Sequence, residues 1–563
     1  MPRSIAVATA LLLAAARTPL QPSSSGPSAP PDLVVIAQRI YTADTARPVA
    51  QAFAVRGDRI VFVGSRKDAL SLRGPGTRVL KLGDRTVLPG LADAHAHLLN
   101  LGRFLRNVDL IGADSYEEVI DRVVARAKQM PPGTWILGRG WDQNRWADKQ
   151  FPIHDALSQA VPDHPVMLTR VDGHALLANA RAMSLAGVSA ATADVAGGHI
   201  ERKPGSREPA GVFVDNAKAL ILDAIPPLSD REISEALLAA QAEAHRWGLV
   251  SVHDAGEPER PLAQLEQLAR SGKLTLRVYA MVSDDSTGLA QAFSRGPESA
   301  LYGGHLWIRA IKLYADGALG SRGAALLAPY SDDPGNPGLL VTPPTHLRDV
   351  ATRALQSGFQ VATHAIGDRG NRVTLDAYEA ALRAVPTRDH RFRVEHAQVL
   401  SPEDIPRFAR LGVIPSMQAT HQTSDMSWAE ARLGPERIKG AYAWRSLLET
   451  GVIVPNGTDF PVEAVNPLLT FHAAVTRQNA ENQPPGGWHP DQRMTREEAL
   501  ASMTRWPAYA GFEEGVMGTI SAGKYADFVV LDRDIIQVPV EEILKTRVVA
   551  TYVGGKRVYG KRG

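Results

Sequence analysis

The spacing of apolar and polar positions changes character twice along the chain. From Leu33 to Val87 short β-rich segments alternate with turns: Leu33 to Ile36, Ala52 to Val55, Arg59 to Val63 and Arg78 to Leu82. The far C-terminus repeats that character in Ala526 to Leu531 and Val548 to Val558, with Gly523 and Gly554-Gly555 as turns. Two β-rich ends flanking a different middle predict one small β-sandwich assembled from both termini. The middle, Gly90 to about Gly511, cycles instead between helical and strand-like patterns.

Some units of that cycle are clear. Ser229 and Glu232 have capping-box spacing before an Ala/Leu helix that stops near Gly248, and the strand Leu249 to Val252 runs into His253-Asp254. Helical Leu347 to Gln356 leads through Phe359 to Ala362 into Thr363-His364. Helical Asn371 to Arg383 precedes the strand Phe392 to Val394 and then Glu395-His396. Ala443 to Thr450 precedes Val452 to Pro455 and Gly457-Thr458-Asp459. Each unit ends with a ligand-type side chain just past a strand.

Alternating helix and strand over this length imply a parallel sheet with helical crossovers. A closed (β/α)8 TIM barrel is preferred over a doubly wound sheet, because only the barrel brings so many strand ends to one point. The stretch from Leu98 to Ile308 exceeds its share of a minimal barrel, so an inserted subdomain is expected at about 130–210. The expected α/β organisation is a sandwich part at 32–87, the barrel at 88–511 and the second sandwich part at 512–563. Before it, Met1 to Arg3 is a short positive region, Ile5 to Ala16 an apolar run and Ala14-Ala15-Ala16 a small-x-small site. Residues 1–16 therefore read as a signal peptide, and 17–31 as a Pro/Ser-rich linker. The apolar run falls short of the roughly 20 residues of a membrane span. An exported protein, periplasmic or extracellular, is expected.

Composition then narrows the chemistry. The 62 Lys+Arg and 60 Asp+Glu of the 563 residues nearly cancel, which argues against a nucleic-acid protein relying on a basic surface. Cysteine is absent, which removes disulfides, thiolate metal sites and cysteine nucleophiles. Any metal must be held by imidazole, carboxylate or something less usual, so the 16 histidines carry the question.

His95 and His97, in Asp93-Ala94-His95-Ala96-His97, alternate along a strand-like run, so both imidazoles point to one side. Lys312 sits inside the apolar strand Trp307 to Leu313. A buried ammonium is disfavoured unless paired or neutralised. A neutral amine can add carbon dioxide to give a carbamate, and the alternatives are an ion pair with Asp316 or Asp254, or a side chain reaching solvent. With His364, His396 and Asp459 these residues suffice for one or two zinc-like ions with open positions for water.

The order His-x-His, Lys, His, His, Asp resembles the metal-dependent amidohydrolase superfamily. The flanks look like its amidohydrolase-3 (YtcJ-like) branch, which includes N-substituted formamide deformylases. The segments that carry the resemblance are Leu88 to Gly102, Ile311 to Leu326, Thr363 to Asn371, Val394 to Leu400, Gly457 to Val462 and the tail Gly518 to Asp534. It implies a barrel with a flanking sandwich, metal ligation by His95, His97, His364 and His396, and a carboxylated Lys312 bridging a metal pair. Asp459 would bind metal and shuttle the proton. The resemblance also points to His174, near the substrate in related segments, with structural capping as the alternative. His253, Asp316 and Trp141 complete the candidate substrate contacts, each with a packing or turn role as its bland reading.

The expected activity is hydrolysis of a non-peptide C–N bond, of amide or formamide type, in a small molecule. Ester or lactone hydrolysis and deamination fit the same site. A solute- or metal-binding protein without turnover is a different class, and a carbohydrate hydrolase would need a carboxylate pair in which Glu395 is the one tempting member. Homo-oligomerisation is left open.

Overall fold

The computed structural model describes residues 29–561 except 171, 172, 174, 196 and 197. The expected signal peptide and most of the linker lie outside the described residues, as does His174. Among the described residues no helix is long and apolar enough to cross a membrane.

The middle of the chain forms a parallel sheet of β1 (Leu91–Ala96), β2 (Leu249–Glu257), β3 (Arg277–Ser283), β4 (Leu306–Tyr314), β5 (Gln360–Ala365), β6 (Arg393–His396) and β7 (Ile414–Ser416). They are hydrogen-bonded in sequence order, each parallel to the next. Residues on both faces of β2 and β3 are buried, as expected of parallel strands covered by crossover helices. The two edge strands are bridged by the run ending in Asp459. Asn456 makes a parallel bridge with Met417 past β7, and its carbonyl accepts from Ala94 N on β1 at 3.0 Å. The expected barrel sheet is thus present, with its eighth position filled by an irregular segment.

Helix α1 (Leu98–Arg106) follows β1, and α2 (Asp230–Arg246) precedes β2 and packs on α1. The capping box read from the sequence is present: Ser229 Oγ accepts from Glu232 N, and Ser229 N donates to Glu232 Oε2 at 2.9 Å. The helix buries Ile233, Ala236, Leu237, Ala240 and Ala244, one helical face, and full burial of a side chain the size of Ile or Leu stabilises by about 1.5–3 kcal/mol. Gly248, with φ +86°, then turns the chain into β2, a conformation an L side chain adopts only under strain.

The chain ends meet in one eight-stranded sheet. Thr86–Pro89 pairs antiparallel with Phe528–Leu531, and in its core Phe528 stacks on Tyr552 and meets Phe53 edge-on. Between β1 and β2 a six-stranded sheet runs from Val108 to Asp215 in sequence, with apolar clusters around Trp141 and Phe213.

His245, in the last turn of α2, ties the barrel to the terminal sheet. Its Nδ1 lies 3.0 Å from Leu249 O, its Nε2 2.9 Å from Thr275 Oγ1, and its carbonyl accepts from Thr551 Oγ1. Burial pushes the imidazole pKa down to about 4. A lowered pKa means that the unfolded chain takes up the proton first. The stabilisation is therefore complete above about pH 6.5 and lost as the pH falls toward 4, by up to about 3 kcal/mol. His245→Gln is expected to flatten the acid limb of stability by up to about one proton. Urea midpoints between pH 4 and 7 measure this, and an unchanged slope refutes it.

Candidate metal centre and active site

His95, His97, Lys312, His364, His396 and Asp459, scattered over the chain, line one cavity of about 400 Å³ at the C-terminal mouth of the barrel. His95 is on β1 and His97 caps the helix that follows. Lys312, His364 and His396 lie at or near the ends of β4, β5 and β6. Asp459 follows the closing segment, its backbone N–H donating to His95 O at 2.7 Å. Gly457 makes that approach feasible: a Cβ there would stand 2.5 Å from His95 N and 2.7 Å from His95 O. His396 and Asp459 hold φ of +72° and +58°, a left-handed backbone that costs energy for any residue with a Cβ.

The ligand atoms converge. One atom each from His95, His396 and Asp459 lie within 4.8 Å of one another. Asp459 Oδ1 is 3.1 Å from His97 Nε2 and 3.7 Å from His95 Nε2, yet it is buried and accepts no aligned hydrogen bond among the described residues. The ring of His396 packs 5.0 Å from His95 and 4.5 Å from His364, centroid to centroid. Burial, followed by the Lys312 charge, pushes His95 down to about 4 and His364 to about 3, and burial holds His396 well below its ordinary value. For Asp459, burial opposes ionisation but His97 and His95 beside it outweigh it, and the carboxyl sits well below the usual range. Neutral imidazoles around a carboxylate with an unpartnered oxygen are a donor set that fits a divalent cation such as zinc.

Lys312 is buried, with Nζ 3.2 Å from His95 Nε2 and 4.8 Å from the Tyr314 ring centre. Burial pushes its amine down to about 8. It makes no ion pair with Asp316 or Asp254. Asp316 instead spends its oxygens on the backbone N–H groups of Ala325, Ile366 and Gly367, at 2.8–2.9 Å, so it shapes the loops around His364. Asp254 accepts from Leu98 N and thereby fixes the start of α1.

Beneath the cavity runs a buried polar ladder. Glu395 Oε2 meets His95 Nδ1 at 2.5 Å, Arg393 lies against both Glu395 and His253, and His253 reaches Glu513 at 3.3 Å. Burial would raise the Glu395 carboxyl, but Arg393 and His95 overcome it and hold the group far below its ordinary value. Glu395 therefore orients His95 through its second nitrogen, the arrangement that fixes a metal-binding imidazole. Glu395→Gln should weaken metal retention about 10–100-fold by chelator competition. It should also destabilise the fold by about 3–5 kcal/mol, because Arg393 is left as an uncompensated buried charge. A variant with wild-type metal retention and unfolding midpoint would reject this role.

His253 is fully buried one layer below His95 and does not line the cavity. Trp141 is likewise buried, its Nε1 donating to Leu168 O and its ring against Trp146, in the core of the six-stranded sheet. One site residue carried no mark in the sequence reading. His421, on α3 (Ala419–Asp425), lines the cavity, stacks on His396 and comes within 3.7 Å of Asp459 Oδ2. It stands just past a strand, as the other histidines do, but β7 is only three residues long and contains Pro415.

Comparison with known proteins agrees with this geometry. The amidohydrolase family model matches residues 78–559. The protein LONG AFTER FAR-RED 3 of Arabidopsis thaliana is 34% identical over 541 residues, covering 94% of this chain and 91% of its own length. An N-substituted formamide deformylase of Arthrobacter pascens is 29% identical, covering 94% of this chain and 99% of its own. Among solved structures, an uncharacterized metal-dependent hydrolase from Pyrococcus furiosus superposes with a TM-score of 0.76 at 29% identity, over 90% of this chain and all of that one.

Proposed function

This chain belongs to the amidohydrolase family, and from that membership we propose that it hydrolyses a non-peptide C–N bond, of amide or formamide type, in a small molecule. The observation that carries the reading is the orientation of Asp459. Its Oδ1 faces His97 and His95, while its Oδ2 faces His421 across the cavity. His95, His97, His364, His396 and Asp459 would hold one or two zinc ions, with Lys312 carboxylated. Bound there, the metal would supply Lewis acidity, polarising the substrate carbonyl and making water a better nucleophile.

The chain's own groups do the rest. Asp459, held as a carboxylate, takes the proton from the attacking water and hands it to the leaving nitrogen as the C–N bond breaks, since the group that serves as base in one step serves as acid in the next. Tyr314, Leu319, Ile366, Trp428 and Val462 give the cavity an apolar wall against which the apolar part of a substrate can pack. A space of about 400 Å³ suits a small molecule and favours a small-molecule substrate over a folded polypeptide.

The test is a panel of N-formyl, N-acyl and ester substrates offered to zinc-loaded protein, with product release followed by chromatography. Release of amine from amides or formamides supports the reading. Turnover of esters alone, or of nothing in the panel, rejects it.

A further inference from the structure

Among the buried groups around the cavity, His421 has a nitrogen without a partner. The residue is 8% exposed, and its Nε2 is buried without a hydrogen bond among the described residues. Leaving a buried polar atom unpaired costs about 1–3 kcal/mol, so such an atom at a cavity wall points to an occupant that pairs it. The ring is held firmly. It stacks on His396 at 5.7 Å with 16° between planes, and Ala419 N, at the start of its helix, donates to Asn456 Oδ1 on the segment that carries Asp459. His421 and Asp459 are thus fixed relative to one another.

The separation between His421 Nε2 and Asp459 Oδ2 is 3.7 Å. That is too long for a hydrogen bond between them and leaves room for one polar atom of a ligand to approach both. On the hydrolase reading the group that must meet Asp459 there is the leaving nitrogen. We propose that His421 is a catalytic residue whose Nε2 accepts the N–H of a secondary amide, so that this site selects secondary over tertiary amides. With its proton on Nδ1, His421 grips the nitrogen through its one N–H and turns the developing lone pair toward Asp459. The C–N bond then breaks, its electron pair stays on nitrogen, and the proton from Asp459 completes the amine. A tertiary amide has no N–H to offer and leaves Nε2 unpaired.

The inference rests on the hydrolase reading for its chemistry, but binding tests it separately. Isoindolinone and N-methylisoindolinone have the same ring-locked amide and differ in the N–H. Titration calorimetry of the zinc-loaded protein is expected to give about tenfold tighter binding of the N–H lactam, the effect of one buried hydrogen bond. His421→Phe, which keeps a ring against His396, should bring the two affinities together, while His421→Gln, which retains an acceptor, should keep part of the preference. In the substrate panel, His421→Phe should lower kcat for secondary amides by a larger factor than for tertiary amides. Equal affinities in the wild type, no binding of either lactam, or an undiminished preference in His421→Phe overturns the inference. A lactam preference without any amide turnover would reject the hydrolase reading and leave the hydrogen bond standing.

Discussion

Asp459→Asn is expected to lower kcat by about 10³-fold or more while most of the bound metal is kept. Asparagine has the same shape and retains a carbonyl oxygen able to face His97 and His95, so the donor cluster loses charge but little geometry. What it cannot do is take up and return a proton. In the native chain Asp459 stays ionised despite near-complete burial, because His97 and His95 outweigh the desolvation that opposes its charge. Its two oxygens face different groups, Oδ1 the imidazoles of His97 and His95 and Oδ2 that of His421. Elemental analysis alongside steady-state kinetics separates the two functions. Wild-type rates in the variant would remove Asp459 from proton transfer, and loss of metal and rate in parallel would reduce it to a ligand.

Lys312→Ala is expected to lose metal and activity together, by at least about 100-fold, with partial recovery on adding formate, acetate or propionate. A buried lysine without an acidic partner destabilises a fold unless its amine is neutral or modified. Burial pushes the amine down to about 8, so the neutral form, the one that adds carbon dioxide with loss of a proton, gains population as the pH rises toward and past that value. The carbamate would carry an anion to the place where Nζ now meets His95 Nε2. Lys312→Met sharpens the test, since it fills the same volume without an amine. Met should match or exceed the melting temperature of the metal-free wild type, in which the amine is unmodified, while remaining inactive. A fully metallated, active Lys312→Ala variant, or no response to short carboxylates, would reject the modification.

Much of the site was legible because the signals are local. Two histidines at alternate positions of a strand must share a side, whatever the fold, and a helix, a glycine stop and an apolar strand followed by a polar residue mark a strand end wherever they occur. His95, His97, His364, His396 and Asp459 all carry that mark. The mark fails where the element is too short or irregular to have a period. β7 is three residues with a proline, so nothing announced His421 beyond it. Val452 to Pro455 read as an ordinary strand, yet the segment joins the barrel through isolated bonds at Asn456, Gly457 and Asp459.

Other residues show a second limit. Glu395 and His396 are neighbours on β6, and in the sequence Glu395 was the one tempting member of the carboxylate pair that a carbohydrate hydrolase would need. The structure turns it inward, where it meets His95 and Arg393 and sees no cavity. His253 also follows a strand run, but it stands a layer too deep to reach the cavity. Depth is set by how far each strand is staggered against the next around the barrel, a property of the closed sheet that no strand carries alone.

The sequence by itself therefore determined the class of fold, the position of the ligand-bearing strand ends and the exclusion of thiolate chemistry, since periodicity and residue type are local or compositional. Only the tertiary structure decided which of those side chains share the cavity, that Glu395 serves His95, and that His421 stands opposite Asp459. Stagger, closure and the burial of one charge against another arise when distant segments pack, and the resulting distances have no counterpart in spacing along the chain.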